Sequence, residues 1–126
     1  MKQKAAGILV LAGILFSWSA LADGVLTPKH GGRMMETNGI RLELVIANDR
    51  IDLHVTDHGD KPMAVKGASA KVLLLIGGQK VEVPLQAAND NLLSGPAKIP
   101  DGAQSSAVIT VEGLPKRITA RLPALH

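Results

Sequence analysis

Apolar and polar residues alternate with a period of two along much of this chain. The clearest run covers residues 40–46, where apolar side chains occupy the even positions, and the alternation resumes over residues 51–55 after Asn48-Asp49. Such a period is typical of strands with one buried face. A two-residue turn of Asn and Asp joins two strands into a hairpin. The pattern therefore predicts a β-hairpin centred on Asn48-Asp49.

The same patterns predict further strands. Asn38-Gly39 is a second two-residue turn, preceded by a strand at 33–37, and two more hairpins follow at 71–85 and 107–122, turning at Gly77-Gly78 and Gly113-Leu114-Pro115. Residues 86–104 are predicted to be mainly loop, with a short strand at 91–94, and residues 65–70 could form one helical turn. About seven short strands predict an all-β fold, a compact antiparallel β-sandwich of immunoglobulin-like type, with a small barrel as the alternative.

The first 22 residues have the pattern of a secretory signal peptide. Lys2 and Lys4 precede an apolar run over residues 5–16, and Ala20-Leu21-Ala22 forms a small-residue cleavage site. The run is shorter than the roughly 20 residues that a membrane-spanning helix needs. We therefore expect cleavage before Asp23, a periplasmic location and no membrane span in the mature protein. Residues 23–32 are predicted to be a flexible lead-in, and residues 33–126 a single domain.

Removing this leader changes the composition. Phe16 and Trp18 are the only aromatic residues and both lie in the leader, as do Lys2 and Lys4, so the remaining chain has 12 basic and 11 acidic residues. A nearly neutral domain without aromatic rings lacks the positive charge and the stacking surfaces of nucleic-acid-binding proteins. The chain also has no cysteine, so a metal site would depend on His, Met, Asp and Glu.

Sequence patterns of common catalytic sites are absent. The chain contains no nucleophile elbow, phosphate-binding loop, H-E-x-x-H or C-x-x-C motif. A thin domain of small aliphatic residues also offers little room for a concave catalytic site. We therefore expect no enzymatic activity and no organic cofactor.

Candidate metal ligands instead fall into register on the outer face of the first strands. If the turns are at Asn38-Gly39 and Asn48-Asp49, Met34 lies opposite Glu43, and Glu43 lies opposite His54, with side chains about 5 Å apart. His58 lies just beyond the end of this row and His30 precedes the first strand.

These residues suggest a copper or zinc site, because imidazole suits both ions and a thioether favours Cu(I). The sequence also permits a simpler interpretation. Glu43 and His54 could be an ordinary exposed cross-strand pair, with Met35 in the core and His58 in a turn. The short spacing of Asp57 and Asp60 does not fit a calcium loop.

The strand at 71–76 is apolar on both faces, because Leu73 and Leu75 alternate with Val72, Leu74 and Ile76. Such a strand is either central and covered on both sides or exposes a patch that docks a partner.

A resemblance covers nearly the whole mature chain. His30-Gly31-Gly32, the segments 42–45 and 53–58, Gly67-Ala68 and a closing strand at 108–111 resemble a small periplasmic β-sandwich domain. That domain is found alone or fused to the periplasmic adaptor subunits of heavy-metal efflux pumps, and it is distantly similar to FixH/YtkA-like domains. The resemblance implies periplasmic metal handling, with His30, His54 and His58 at the family's histidine-bearing positions. This chain lacks the His-rich N-terminal tract that many such proteins carry.

Two functions follow as hypotheses. One is a periplasmic metal-binding or metal-resistance accessory protein for copper or zinc that works with a metal-efflux adaptor or another periplasmic protein. The other is a non-catalytic interaction module that binds an envelope protein through an edge strand or the Leu73/Leu75 face and needs no metal.

Overall fold

The computed structural model of the chain describes residues 26–99 and 105–125. The predicted signal peptide and the start of the lead-in, residues 23–25, lie outside the described residues. The predicted all-β antiparallel class is confirmed, since the described residues form eight antiparallel strands and no helix. The strands are β1 (Arg33–Thr37), β2 (Ile40–Ile46), β3 (Arg50–Asp57), β4 (Ser69–Ile76), β5 (Gln79–Asn89), β6 (Leu92–Pro96), β7 (Ser106–Glu112) and β8 (Ile118–Leu122).

These strands form one continuous sheet in the order β1-β2-β3-β6-β5-β4-β7-β8. The sheet curls until its edge strands β1 and β8 lie beside each other. Arg33 of β1 crosses this seam, donating hydrogen bonds to the carbonyl oxygens of Ser105 at 2.7 Å and Pro123 at 3.1 Å. The result is one nearly closed, barrel-like sheet that encloses a single core, closer to the small barrel predicted as the alternative than to two separate packed sheets.

Aliphatic side chains and Met35 fill this core, most of them from alternate positions of the strands. Its largest fully buried members are Leu42, Leu44, Ile51, Leu53, Leu74, Leu85, Leu93, Ile109 and Ile118. The opposite positions of β1, β2 and β3 form the outer face on which Met34, Glu43 and His54 lie.

The predicted two-residue turns are confirmed, whereas the connection predicted at Gly113-Leu114-Pro115 is longer and covers residues 113–117. Asn38 and Gly39 both have positive φ, at 53° and 76°, and so do Gly77 and Gly78, at 56° and 82°. Two consecutive residues with positive φ are typical of the type I′ turn, whose twist matches that of the strands it joins. The turn at Asn48-Asp49 is closed by a hydrogen bond from the Ala47 amide to the Arg50 carbonyl at 2.9 Å.

Two local predictions were wrong. The segment predicted as mainly loop contains more strand than expected, since β5 continues to Asn89, and the short strand predicted at 91–94 is present as β6 over 92–96. Residues 65–70 form no helical turn. Residues of weak strand propensity between 86 and 96 extend because neighbouring strands satisfy their backbone hydrogen bonds. Residues 65–68 instead form a turn, closed by a hydrogen bond from the Ala68 amide to the Val65 carbonyl at 2.8 Å.

Within the described ranges, the chain contains no helix that is long and apolar enough to cross a membrane.

Candidate functional site

The row predicted on the outer face is present in the structure. Met34 of β1 pairs with Glu43 of β2, and Glu43 pairs with His54 of β3. The local hairpin turns set this register, because one fixes β1 against β2 and the other fixes β2 against β3. The three side chains therefore share one face across three neighbouring strands.

Glu43 is buried although it points outward, with only 3% of its surface exposed. The chain that precedes β1 covers it. The carboxylate accepts hydrogen bonds from the backbone amides of Lys29, His30 and Gly32 at 3.1, 2.8 and 2.9 Å. A fourth bond joins it to His30 Nδ1 at 2.9 Å. Residues 29–32, which we call the strap, are thus held against the sheet by one side chain.

These contacts also set the charge of Glu43. Burial by itself raises the pKa of this carboxyl, but the hydrogen bonds from the His30 ring and the three amides outweigh burial and lower the pKa to about 2. Glu43 is therefore an anion at neutral pH. An ionised carboxylate can only accept hydrogen bonds, so the hydrogen in the bond to His30 belongs to Nδ1 of the ring.

Two glycines allow the strap to lie this close to β2. Gly31 has a φ of +75°, in the left-handed region that glycine adopts without strain. A Cβ on Gly32 would collide with the carbonyl oxygen of Leu44 and lie 2.8 Å from Cγ2 of Val45. In the His30-Gly31-Gly32 sequence, His30 supplies the ring that binds Glu43, Gly31 supplies the left-handed backbone conformation, and Gly32 allows the strap to approach the backbone of β2 closely.

We expect Gly32→Ala to lift the strap from β2, because the new methyl group meets backbone rather than a flexible side chain. The cost should be about 1–3 kcal/mol in the free energy of unfolding. Amide hydrogen exchange at His30 should accelerate by at least about tenfold. Unchanged exchange at His30 in a folded Gly32→Ala variant would contradict the role given to this glycine.

His30 and His54 stack on each other. Their ring centroids are 3.6 Å apart and their planes differ by 1°. Burial lowers the pKa of His54, and the nearby His30 ring lowers it further against the opposing effects of Glu43 and Asp52. At neutral pH, His54 is therefore a neutral imidazole that has a lone pair on one ring nitrogen.

These side chains border a shallow cleft of about 20 Å³ at the strap. The lining residues are Lys29, His30, Met34, Glu43, His54, Thr56 and Asp60. The cleft offers soft and intermediate donors, a thioether and two imidazoles, which suit copper, and imidazole also suits zinc.

The geometry limits how an ion could bind. A metal bound to imidazole lies in the plane of the ring, and the stacked planes are parallel, so one ion cannot lie in both planes in this arrangement. In the described part of the chain, no three or more His, Asp and Glu side chains are grouped so as to hold a metal ion. The residues therefore fit an ion that has few protein ligands. An ion bound by both imidazoles would require one of the two rings to rotate first.

His58 lies outside this cleft. Its Nδ1 is 3.0 Å from Oε2 of Glu36, and Arg41 donates to Oε1 of the same carboxylate at 2.7 Å. Arg41 also donates to Asp60 at 2.8 Å. Of the five predicted site residues, the structure brings together His30, Met34, Glu43 and His54, and places His58 in a neighbouring ion-pair network.

The strap was not predicted from the sequence. The pattern of residues 23–32 indicated a flexible lead-in, whereas the amides of residues 29, 30 and 32 are fixed on Glu43. Two features of the sequence could have revealed the strap. Gly31-Gly32 follows a histidine directly, and Glu43 is a charged residue within the alternating pattern of β2.

Comparison with known proteins adds no relative: no family model matches the chain, and no curated protein or solved structure is significantly similar to it.

Proposed function

We propose that this protein is a periplasmic, non-enzymatic metal-binding accessory protein that holds one copper or zinc ion weakly at the strap cleft and acts with a metal-efflux system. The observation that carries the proposal is the buried Glu43 carboxylate paired with His30 Nδ1. Histidines that bind metals commonly donate the other ring N–H to a carboxylate, which fixes the tautomer and increases the basicity of the ligand.

The pair gives His30 a defined chemical state. With the hydrogen on Nδ1, the lone pair lies on Nε2, on the side of the ring away from Glu43. Because 47% of the His30 side chain is exposed, an ion from solution can reach it. His54 supplies a second neutral imidazole beside it.

Weak binding follows from the number of ligands. Glu43 is occupied by its hydrogen bonds, and the stacked rings cannot bind the same ion unless one of them turns. A site with so few ligands would exchange its ion readily, which suits a protein that passes metal to an efflux adaptor. The leader pattern of residues 1–22 supports a periplasmic location.

Calorimetric titration of the exported, untagged protein with Cu(I), Cu(II) and Zn(II) in separate runs tests the proposal. We expect saturable binding of one ion. The double variant His30→Ala/His54→Ala should weaken binding by at least about 100-fold, because both imidazoles of the cleft are lost.

His58→Ala is the matched control, since 76% of the His58 side chain is exposed and it lies outside the cleft. Its isotherm should match that of the unmodified protein. Flat heats for all three ions, or an unchanged isotherm in the folded double variant, would contradict the proposal.

The second candidate function is an interaction module. Leu75 is 49% exposed, and with Leu73 and Val108 it borders an apolar cleft of about 170 Å³ on the outside of the sheet. Exposed patches of this kind often mark protein contacts. A photo-crosslinking residue at position 75 should then label one envelope protein, identified by mass spectrometry, whereas the same residue at exposed position 121 should not.

A further inference from the structure

We infer that the ion held at the strap cleft is Cu(I), bound by the thioether of Met34 and one imidazole, and that the site discriminates against Zn(II). This inference rests on the proposed function. It follows from which donor atoms of the cleft are already occupied and which are free to bind an ion.

Both carboxylates of the cleft already have partners of their own. A carboxylate has about four lone-pair positions, and the two oxygens of Glu43 already accept four hydrogen bonds. Asp60 accepts a hydrogen bond from Arg41 at 2.8 Å on one oxygen, and Lys29 Nζ lies 4.0 Å from the other. Binding an ion through Glu43 would require breaking its hydrogen bonds, and an ion on Asp60 would compete with the positive charges of Arg41 and Lys29.

The strap explains why Glu43 keeps its hydrogen bonds and does not bind the metal ion. Three of its partners are backbone amides, and an amide that loses its acceptor without gaining water costs about 1–3 kcal/mol. A metal that took an oxygen from Glu43 would leave such amides without an acceptor under the strap. Glu43 is therefore a positioning residue that orients the His30 ring, not a ligand.

The nitrogen and sulfur donors that remain are Met34, His30 and His54. Because the imidazole planes are parallel at 3.6 Å, an ion in the plane of one ring is not in the plane of the other. The ready-made donor set is thus one nitrogen and one sulfur. Met34 is directly opposite Glu43 in the strand pairing, and Glu43 holds the His30 ring, so the thioether and the His30 ring line the same small cleft.

This donor set matches one oxidation state of copper. Cu(I) is soft, prefers thioether and imidazole, and is stable with two or three ligands. Zn(II) is almost always tetrahedral in protein sites, with at least three protein ligands from Cys, His, Asp and Glu. The cleft offers zinc no thiolate, and its two carboxylates are engaged, Glu43 by the strap and Asp60 by the positive charges of Arg41 and Lys29. Cu(II) also prefers nitrogen and oxygen to a thioether.

Met34→Leu removes the sulfur while nearly conserving side-chain volume, a change that usually costs less than about 1.5 kcal/mol in stability. The protein is titrated under anaerobic, reducing conditions with Cu(I) buffered by bicinchoninate, and separately with Zn(II) against a chromogenic chelator. We expect Cu(I) to bind at least about 100-fold more tightly than Zn(II), and Met34→Leu to weaken Cu(I) binding by about tenfold or more.

Met35→Leu is the matched control. Met35 is the next residue of the same strand, but it points into the core and is 8% exposed. Its substitution removes a thioether without touching the cleft, so Cu(I) affinity should be unchanged. Copper X-ray absorption should show a sulfur neighbour in the unmodified protein and in Met35→Leu, and none in Met34→Leu.

The outcomes separate the two proposals. Zn(II) binding as tight as Cu(I) binding, or a sulfur neighbour that persists in Met34→Leu, would overturn the assignment of Cu(I) and leave the metal-binding function standing. Binding of neither ion would overturn the function and the inference together.

Discussion

Glu43→Gln should lower the free energy of unfolding at pH 7 by about 3 kcal/mol, a large effect for a substitution that conserves shape. The carboxylate has a pKa of about 2 in the folded protein against an ordinary value of 4.5, and a difference of this size corresponds to about 3 kcal/mol of stabilisation. The side-chain NH2 group of glutamine would also replace one of the two oxygens that accept hydrogen bonds from the backbone amides of the strap. The strap should come loose and expose the His30/His54 stack.

The pH dependence gives this prediction a distinct signature. Because folding lowers the pKa of Glu43, its stabilisation is fully present above pH 4.5 and is lost as the pH falls toward 2. The unmodified protein should therefore lose stability across this window, and Glu43→Gln should lose about 3 kcal/mol less. Urea unfolding followed by far-ultraviolet circular dichroism measures the difference. Fluorescence is unsuitable, because Trp18 lies in the leader and the chain has no tyrosine.

Glu82→Gln is the control for this comparison, because its side chain is 58% exposed on the outside of β5. Its stability and its pH profile should stay close to those of the unmodified protein. If Glu43→Gln and Glu82→Gln behave alike, the buried carboxylate does not hold the strap.

Gly95→Ala should destabilise the fold by about 3 kcal/mol or more. Gly95 lies in β6, paired with Ile51, and a Cβ there would collide with the carbonyl oxygen of Pro84 and lie 3.0 Å from Cδ2 of Leu85. The collision is with the backbone of β5, so no side chain can rotate to relieve it. β6 joins β3 to β5, so a shift of this strand separates the two parts of the sheet.

Gly59→Ala is the matched control. A Cβ on Gly59 would meet only Oδ1 of Asp57, at 3.4 Å, an ordinary contact. Thermal unfolding should place this variant close to the unmodified protein and Gly95→Ala far below it. If Gly95→Ala does not fold, Gly95→Ser should fail as well, since it carries the same Cβ. Equal stability of Gly59→Ala and Gly95→Ala would contradict the close approach of β6 to β5.

The first three strands and the row of Met34, Glu43 and His54 follow from local signals. The period of two assigns each residue to a face, and a two-residue turn fixes the register of the strands on either side. A one-residue slip would have turned Met34 inward. Both turns stand where the sequence predicts them, so the site's row could be predicted without any knowledge of the rest of the sheet.

The strap, and the place of the sixth strand in the sheet, could not be predicted in this way. His30 reaches His54 through hydrogen bonds of its backbone to a side chain 13 residues away, a type of contact that leaves no hydrophobic period. β6 pairs with β3 about 40 positions earlier in the chain, as shown by Leu93 opposite Leu53. Its own residues, which include Ser94, Gly95 and Pro96, have weak strand propensity, so the pairing partner decides the outcome.

The seam between β1 and β8 has a consequence for behaviour at high concentration. Strands at the margins of a sheet present rows of backbone groups that recruit strands from other molecules, which is a common route to aggregation. Here the two marginal strands are five residues each, and they lie beside each other with the guanidinium of Arg33 between the chain segments at Ser105 and Pro123. The edges of β1 and β8 thus cover each other, and Arg33 links the two sides of the seam in a domain that has no disulfide. We expect this arrangement to hinder polymerisation through the strand edges.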